Sequence, residues 1–174
     1  KTSRYRMKKK LVAFGYMVGS ALTLGGLYYW YMKKQIPEDA PKTLPWRVAR
    51  WWDKIKYYAG YFGLDPILVA SIIQVESGGD PNARNPDSTA TGLMQVLYGT
   101  AKEVGVNPDL LTDPDWNLYA GCKYLRKQLD KYGAIYKAVY SYYAGEYPSS
   151  KYPEAETYAG KVLALYNKYS TVYA

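Results

Sequence analysis

The chain has 174 residues, 23 Lys and Arg against 15 Asp and Glu, and a formal net charge of +8. One Cys and no His exclude an intrachain disulfide, a His-dependent nucleophilic relay and any ordinary zinc site. The basic excess is local. Eight cations (Lys1, Arg4, Arg6, Lys8, Lys9, Lys10, Lys33, Lys34) and no acids occupy residues 1–34, so the remaining 140 residues are formally neutral. A strongly basic, nucleic-acid-binding domain is therefore excluded.

From the N-terminus, residues 1–10 read as a basic flank on the cytoplasmic side. Residues 11–32 contain no charge, and a run of about 20 apolar residues spans a bilayer core. The run ends in Tyr28, Tyr29, Trp30 and Tyr31, residues suited to a headgroup boundary, before Lys33 and Lys34. A cleaved signal peptide has the same polarity, but its apolar stretch is about 7–15 residues and ends in small side chains. The expectation is an uncleaved transmembrane helix embedded in the lipid bilayer. Its charge bias places the N-terminus in the cytoplasm (or a virion interior) and the rest of the chain on the periplasmic or cell-wall side. Residues 33–45, with Pro37, Pro41 and Pro45, read as an extended linker.

Residues 46–174 read as an all-α domain. Trp51, Trp52, Ile55, Tyr58 and Ala59 recur at helical spacing within Trp46 to Ala59. Asp65-Pro66 starts a central apolar helix that ends at Gly78-Gly79. A polar loop covers Asp80 to Thr89. Asp113-Pro114 opens a helix to about Tyr132, Gly133 separates it from a segment ending at Ala144, and a last helix spans about Glu154 to Tyr169. No strand pattern is strong enough to organise a sheet. Tyr119, Tyr124, Tyr132, Tyr136 and Tyr140 lie at helical spacings and read as packing, and Cys122 as a small buried apolar residue.

Glu76 is the carboxylate that stands out. It closes a helix built of Ile67, Leu68, Val69, Ala70, Ile72, Ile73 and Val75. A carboxyl against such a body is disfavoured as an anion, which suits a general acid. A solvated Glu at a helix C-terminus is the alternative from position alone. Asp80 and Asp87 read as turn caps, with a second catalytic carboxylate as the alternative.

Over about residues 57–166 the sequence resembles the lytic transglycosylase domain of the soluble lytic transglycosylase type, which is goose-lysozyme-like. Four blocks carry the resemblance. Glu76-Ser77 matches the E-S hallmark, and Gly92-Leu93-Met94-Gln95, with Thr100-Ala101 and Gly105, matches the G-L-M-Q block. Asp113-Pro114, Asn117, Gly121 and Tyr124-Leu125 match the pattern between blocks. Ala138 to Gly145 aligns with A-x-x-A-Y-N-A-G, and Glu154, Tyr158, Lys161 and Val162 with E-T-x-x-Y-V-x-K-V. Tyr143 stands where the family has Asn, and Ala155 where it has Thr.

The resemblance implies a lysozyme-like helical fold behind the single transmembrane helix. The implied substrate is the peptidoglycan glycan strand, cut at the β-1,4 bond between N-acetylmuramic acid and N-acetylglucosamine without water. A 1,6-anhydro ring results, and neither cofactor nor metal is used. Glu76 is the implied acid and base. Ser77 would orient it or contact an acetamido group, and Gly92, Met94 and Gln95 belong to the sugar groove. Tyr142 and Tyr143 would contact the site, Tyr158 would hydrogen-bond near Glu76, and Glu154 would be a structural or substrate-orienting carboxylate. Two rival functions accompany this one. The first is a lysozyme-like hydrolase using Asp80 or Asp87. The second is an inactive peptidoglycan-binding membrane protein, suggested by Tyr143. A larger envelope-spanning or virion assembly is the expected setting, and nucleic acid is not an expected partner.

Overall fold

The structure, a computed structural model, describes residues 21–173. The described residues from Pro37 onward form one compact unit, and those up to Ile36 belong to another. In the first unit, helix α1 is Ala21–Lys33, with Tyr28, Tyr29, Trp30 and Tyr31 exposed and the Lys34 ammonium 4.1 Å above the Trp30 ring. Among the described residues no helix is long and apolar enough to cross a membrane. The structure therefore does not supply the spanning helix expected over residues 11–32, whose first half lies outside the described residues.

The second unit is all-helical, with two isolated β-bridges as its extended pairing among the described residues. Residues 37–45 are not an extended linker. The Ala40 amide bonds to the Pro37 carbonyl (3.1 Å) and the Leu44 amide to the Pro41 carbonyl (2.9 Å), forming successive turns. Ala40 and Leu44 are buried, and Asp39 pairs with Lys56. The prolines shape turns here because the apolar side chains between them have a core to enter.

The helix expected from Trp46 to Ala59 is broken into α2 (Trp46–Ala49) and α3 (Trp52–Tyr61). Arg50 and Trp51 form the joint and turn their side chains towards the carbonyl of Gly79. The central helix α4 (Pro66–Glu76) starts as expected: the Asp65 carboxylate accepts from the Ile67 amide at 2.7 Å, with Pro66 in the first turn. Ile67 through Ile73 are all buried. Helix α5 (Tyr98–Glu103) and a 3-10 turn (Pro108–Leu110) lead to α6 (Pro114–Tyr132). Asp113 caps α6 by accepting from the amides of Asp115 (2.8 Å) and Trp116 (3.3 Å), and Gly133, at φ +68°, ends it. Helices α7 (Ile135–Ala144) and α8 (Glu154–Tyr173) follow. Helix α8 packs on α4 and α7, α7 on α6, and α3 on α4 and α6. Helix α4 thus lies in the middle of the bundle, and its last residue is the carboxylate at issue.

Candidate active site

Glu76 retains partial exposure at the end of α4. Burial of its carboxyl pushes the pKa from an ordinary 4.5 up to about 7, opposed by a hydrogen bond from Tyr158. That bond, from the Tyr158 hydroxyl to Glu76 Oε1, is 2.6 Å long. Burial thus favours the protonated carboxyl towards neutral pH, which is the state a proton donor needs. The alternative of a fully solvated helix-terminal Glu is excluded by this burial. Tyr142 and Tyr158 are held far above the usual phenol range, by burial first and by the nearby Glu76 carboxyl second. Both stay neutral and serve as donors.

Four segments assemble around this carboxyl. The first is the turn after α4: Gly78 and Gly79 sit at φ +60° and +86°, and the Ser77 hydroxyl donates to the Leu93 carbonyl (2.8 Å) while accepting from the Gly79 amide (3.1 Å). The second is the loop at 91–96, closed by reciprocal Thr91–Val96 backbone bonds of 3.1 Å each. Within it Gln95 adopts φ 47°, and its side-chain amide donates to the carbonyls of Ala83 (3.1 Å) and Gly92 (3.0 Å). The third is α7, from which the Tyr142 hydroxyl donates to the Met94 carbonyl at 2.9 Å. The fourth is α8, which carries Tyr158.

Beneath the loop lies Asn117 of α6, fully buried. Its Oδ1 accepts from the Met94 amide, and its Nδ2 donates to the carbonyls of Thr91 and Leu111, all at 2.8 Å. Gly92, at φ +82°, leaves the space Asn117 occupies, because a Cβ there would collide with the amide. Gly121 does the same for Met94, whose sulfur would meet a Cβ at that position.

A family model for the Transglycosylase SLT domain matches residues 53–162, well over half of the chain. The chain belongs to this family. The transglycosylase of Enterobacteria phage PRD1 is 36% identical over 118 residues, covering 68% of this chain and 43% of the phage protein. The chain thus spans less than half the length of that relative. Two solved structures share the fold. An inactive mutant of the lytic transglycosylase Slt from Pseudomonas aeruginosa superposes with a TM-score of 0.60 at 23% identity, over 68% of this chain and 24% of that one. The 70 kDa soluble lytic transglycosylase of Escherichia coli gives 0.62 at 24% identity, with the same coverages.

Within this SLT domain the expected residues fall into three groups. Glu76, Ser77, Tyr142 and Tyr158 converge through the bonds above. Tyr143 joins them at the surface, about half exposed, its ring centroid 5.0 Å from that of Tyr158 and tilted by 31°. Gly92, Met94 and Gln95 form the loop, but Met94 is fully buried and presents its carbonyl rather than its side chain. Glu154 is exposed at the start of α8, one turn before Tyr158, and makes no hydrogen bond or ion pair among the described residues.

The Asp80 carboxylate accepts from the Asn82 amide at 2.9 Å, so it caps a turn as expected, while Asp87 is exposed in the same loop. Cys122 is buried as expected. Tyr124 is buried with its ring 5.5 Å from that of Tyr142, and Tyr140 is buried with its hydroxyl donating to the Ser149 carbonyl. Among the described residues no three His, Cys, Asp or Glu side chains gather as a metal would require. Sequence reasoning gave no role to Asn117, Arg50 or Trp51. Asn117 had a signal, as a position of the family pattern and an amide on the apolar face that also carries Leu118, Gly121 and Leu125. Arg50 had none, and Trp51 reads in the sequence only as part of an apolar helix face.

Proposed function

We propose that the domain cleaves peptidoglycan glycan strands as a lytic transglycosylase, with Glu76 as the single acid and base. The observation that carries this is the setting of Glu76, a partly buried carboxyl at the end of α4 that accepts a 2.6 Å hydrogen bond from Tyr158. In the proposed reaction the Glu76 carboxyl gives its proton to the glycosidic oxygen, and the bond from that oxygen to the muramyl C1 breaks. The muramyl C6 hydroxyl then attacks C1 and yields its proton to the Glu76 carboxylate. The 1,6-anhydro ring closes, no water enters, and the acid is regenerated. A hydrolase uses a pair of carboxylates or an activated water, whereas here the substrate supplies the nucleophile. Engagement of Asp80 in its own turn supports the one-carboxylate form. The phage relative supports a virion or cell-wall setting, in which residues 11–32 would hold the domain against a bilayer. Glu76→Gln should abolish soluble muropeptide release from purified peptidoglycan while the domain stays folded. Mass spectrometry of wild-type products should show muramyl ends lighter by one water than those of a hydrolase. Reducing muramyl ends would overturn the mechanism.

A further inference from the structure

We propose that Arg50 and Trp51 are positioning residues for Glu76, holding the carbonyl of Gly79 and through it the turn that carries the acid. Both lie before residue 53, where the match to the SLT family begins. The Arg50 guanidinium donates through Nη2 to the Gly79 carbonyl at 3.0 Å and through Nε to the Arg47 carbonyl at 3.2 Å, joining two backbone segments with one planar fork. Trp51 Nε1 donates to the same Gly79 carbonyl at 3.0 Å. The guanidinium is itself fixed, lying 4.8 Å from the Trp51 ring and 5.6 Å from the Trp46 ring.

Gly79 is buried, and a Cβ there would run into the Arg47 carbonyl, so glycine is what allows α2 to approach. From Gly79 the constraint passes inward. Its amide donates to Ser77 Oγ, and that hydroxyl donates to the Leu93 carbonyl. Ser77, the neighbour of Glu76, is thereby held between the clamp and the 91–96 loop. A rigid acid matters because small displacements of a proton donor cost rate: ~1 Å of misplacement removes about 100-fold. The broken helix at residues 50–51 has the same cause, since an unbroken helix would aim these two side chains elsewhere.

The proposal rests on Glu76 acting as the acid, so its test includes a measurement that needs no substrate. Titration of the ¹³C-labelled Glu76 carboxyl would be followed by NMR in the 174-residue chain and in Arg50→Ala/Trp51→Phe. The titratable groups facing Glu76 are Tyr142 from α7 and Tyr158 from α8, and neither is altered by the substitutions. A loosened turn admits water to the carboxyl, so the midpoint should fall by about half a pH unit or more. In the muropeptide assay kcat should fall about 10-fold for each single variant and about 100-fold for the pair, with KM within about twofold. Arg50→Lys, which reaches one carbonyl but not both, should give an intermediate kcat. If Arg50→Ala/Trp51→Phe does not fold, Arg50→Lys/Trp51→Phe takes its place. An unmoved midpoint in a natively folded double variant overturns the proposal. An inactive wild type overturns the enzymatic assignment and leaves the titration to decide the clamp.

Discussion

The carboxyl of Glu76 is set by two opposed effects, burial that favours the protonated form and a tyrosine bond that favours the anion, and burial wins. An enzyme that needs the acid protonated should therefore lose activity as pH rises through about 7. Tyr158→Phe removes the opposing bond, so the alkaline limb of the kcat/KM profile should move to higher pH. A limb displaced downward would show that Tyr158 acts in some other way. The same group taxes stability. The folded state holds a proton on Glu76 between an ordinary 4.5 and about 7, a window in which the unfolded chain has already released it. Stability contributed by that proton is complete below pH ~4.5 and lost as pH rises through about 7, with a ceiling of about 3 kcal/mol. Glu76→Gln should thus match the wild type in Tm at pH 4.5 and exceed it by several degrees at pH 8, read by thermal denaturation. Glu76 was legible in the sequence because its burial follows from its own helix. The buried side chain of Met94 was not, because the space it fills is made by Gly121 on another helix.

At the scale of elements, the 91–96 loop depends on α6 for its shape. One buried Asn117 side chain satisfies the Met94 amide and two carbonyls inside the core. Replacing it by Ala leaves these groups without partners, at about 1–3 kcal/mol for each buried group left unmade. Asn117→Ala should therefore lower stability by about 3 kcal/mol or more in urea unfolding, and it should release the Met94 carbonyl from its alignment with Tyr142. A loss below about 0.5 kcal/mol would mean that water enters and replaces the amide. The helix starts at Asp65-Pro66 and Asp113-Pro114 were readable because a cap and its amides are two or three residues apart. The break between α2 and α3 was not, since the Gly79 carbonyl that its Trp51 side chain meets lies 28 residues away. Turns at residues 37–45 were likewise invisible, because proline-rich composition describes an isolated segment and not one with apolar side chains buried in a neighbouring core.

For the whole molecule, charge and fold divide at nearly the same place. The excess of eight cations lies in residues 1–34, and the compact helical unit begins at Pro37. Two truncations test this division. A chain of residues 37–174 keeps Ala40, Leu44, Val48, Ala49 and Trp52, all buried, and should unfold at the same temperature as the 174-residue chain. A chain of residues 53–174 matches the start of the family domain but loses all five. Burial of Leu44, Val48 and Trp52 alone is worth about 1.5–3 kcal/mol each, against a typical domain stability of about 5–15 kcal/mol. That shorter chain should be unfolded or molten by near-UV circular dichroism. The proposed hold of residues 11–32 on a bilayer would reside wholly in the part removed. The 174-residue chain should float with lipid vesicles and residues 37–174 should not. Salt then separates the two ways a basic, apolar N-terminus can hold a membrane. Surface attraction between the cations and anionic lipid fades at 1 M salt, where the screening length is ~3 Å, whereas an inserted apolar segment is not released. Retention of the 174-residue chain on vesicles at 1 M salt, with release only by detergent, is the expected result. Release by salt alone would reduce residues 1–34 to an electrostatic tether.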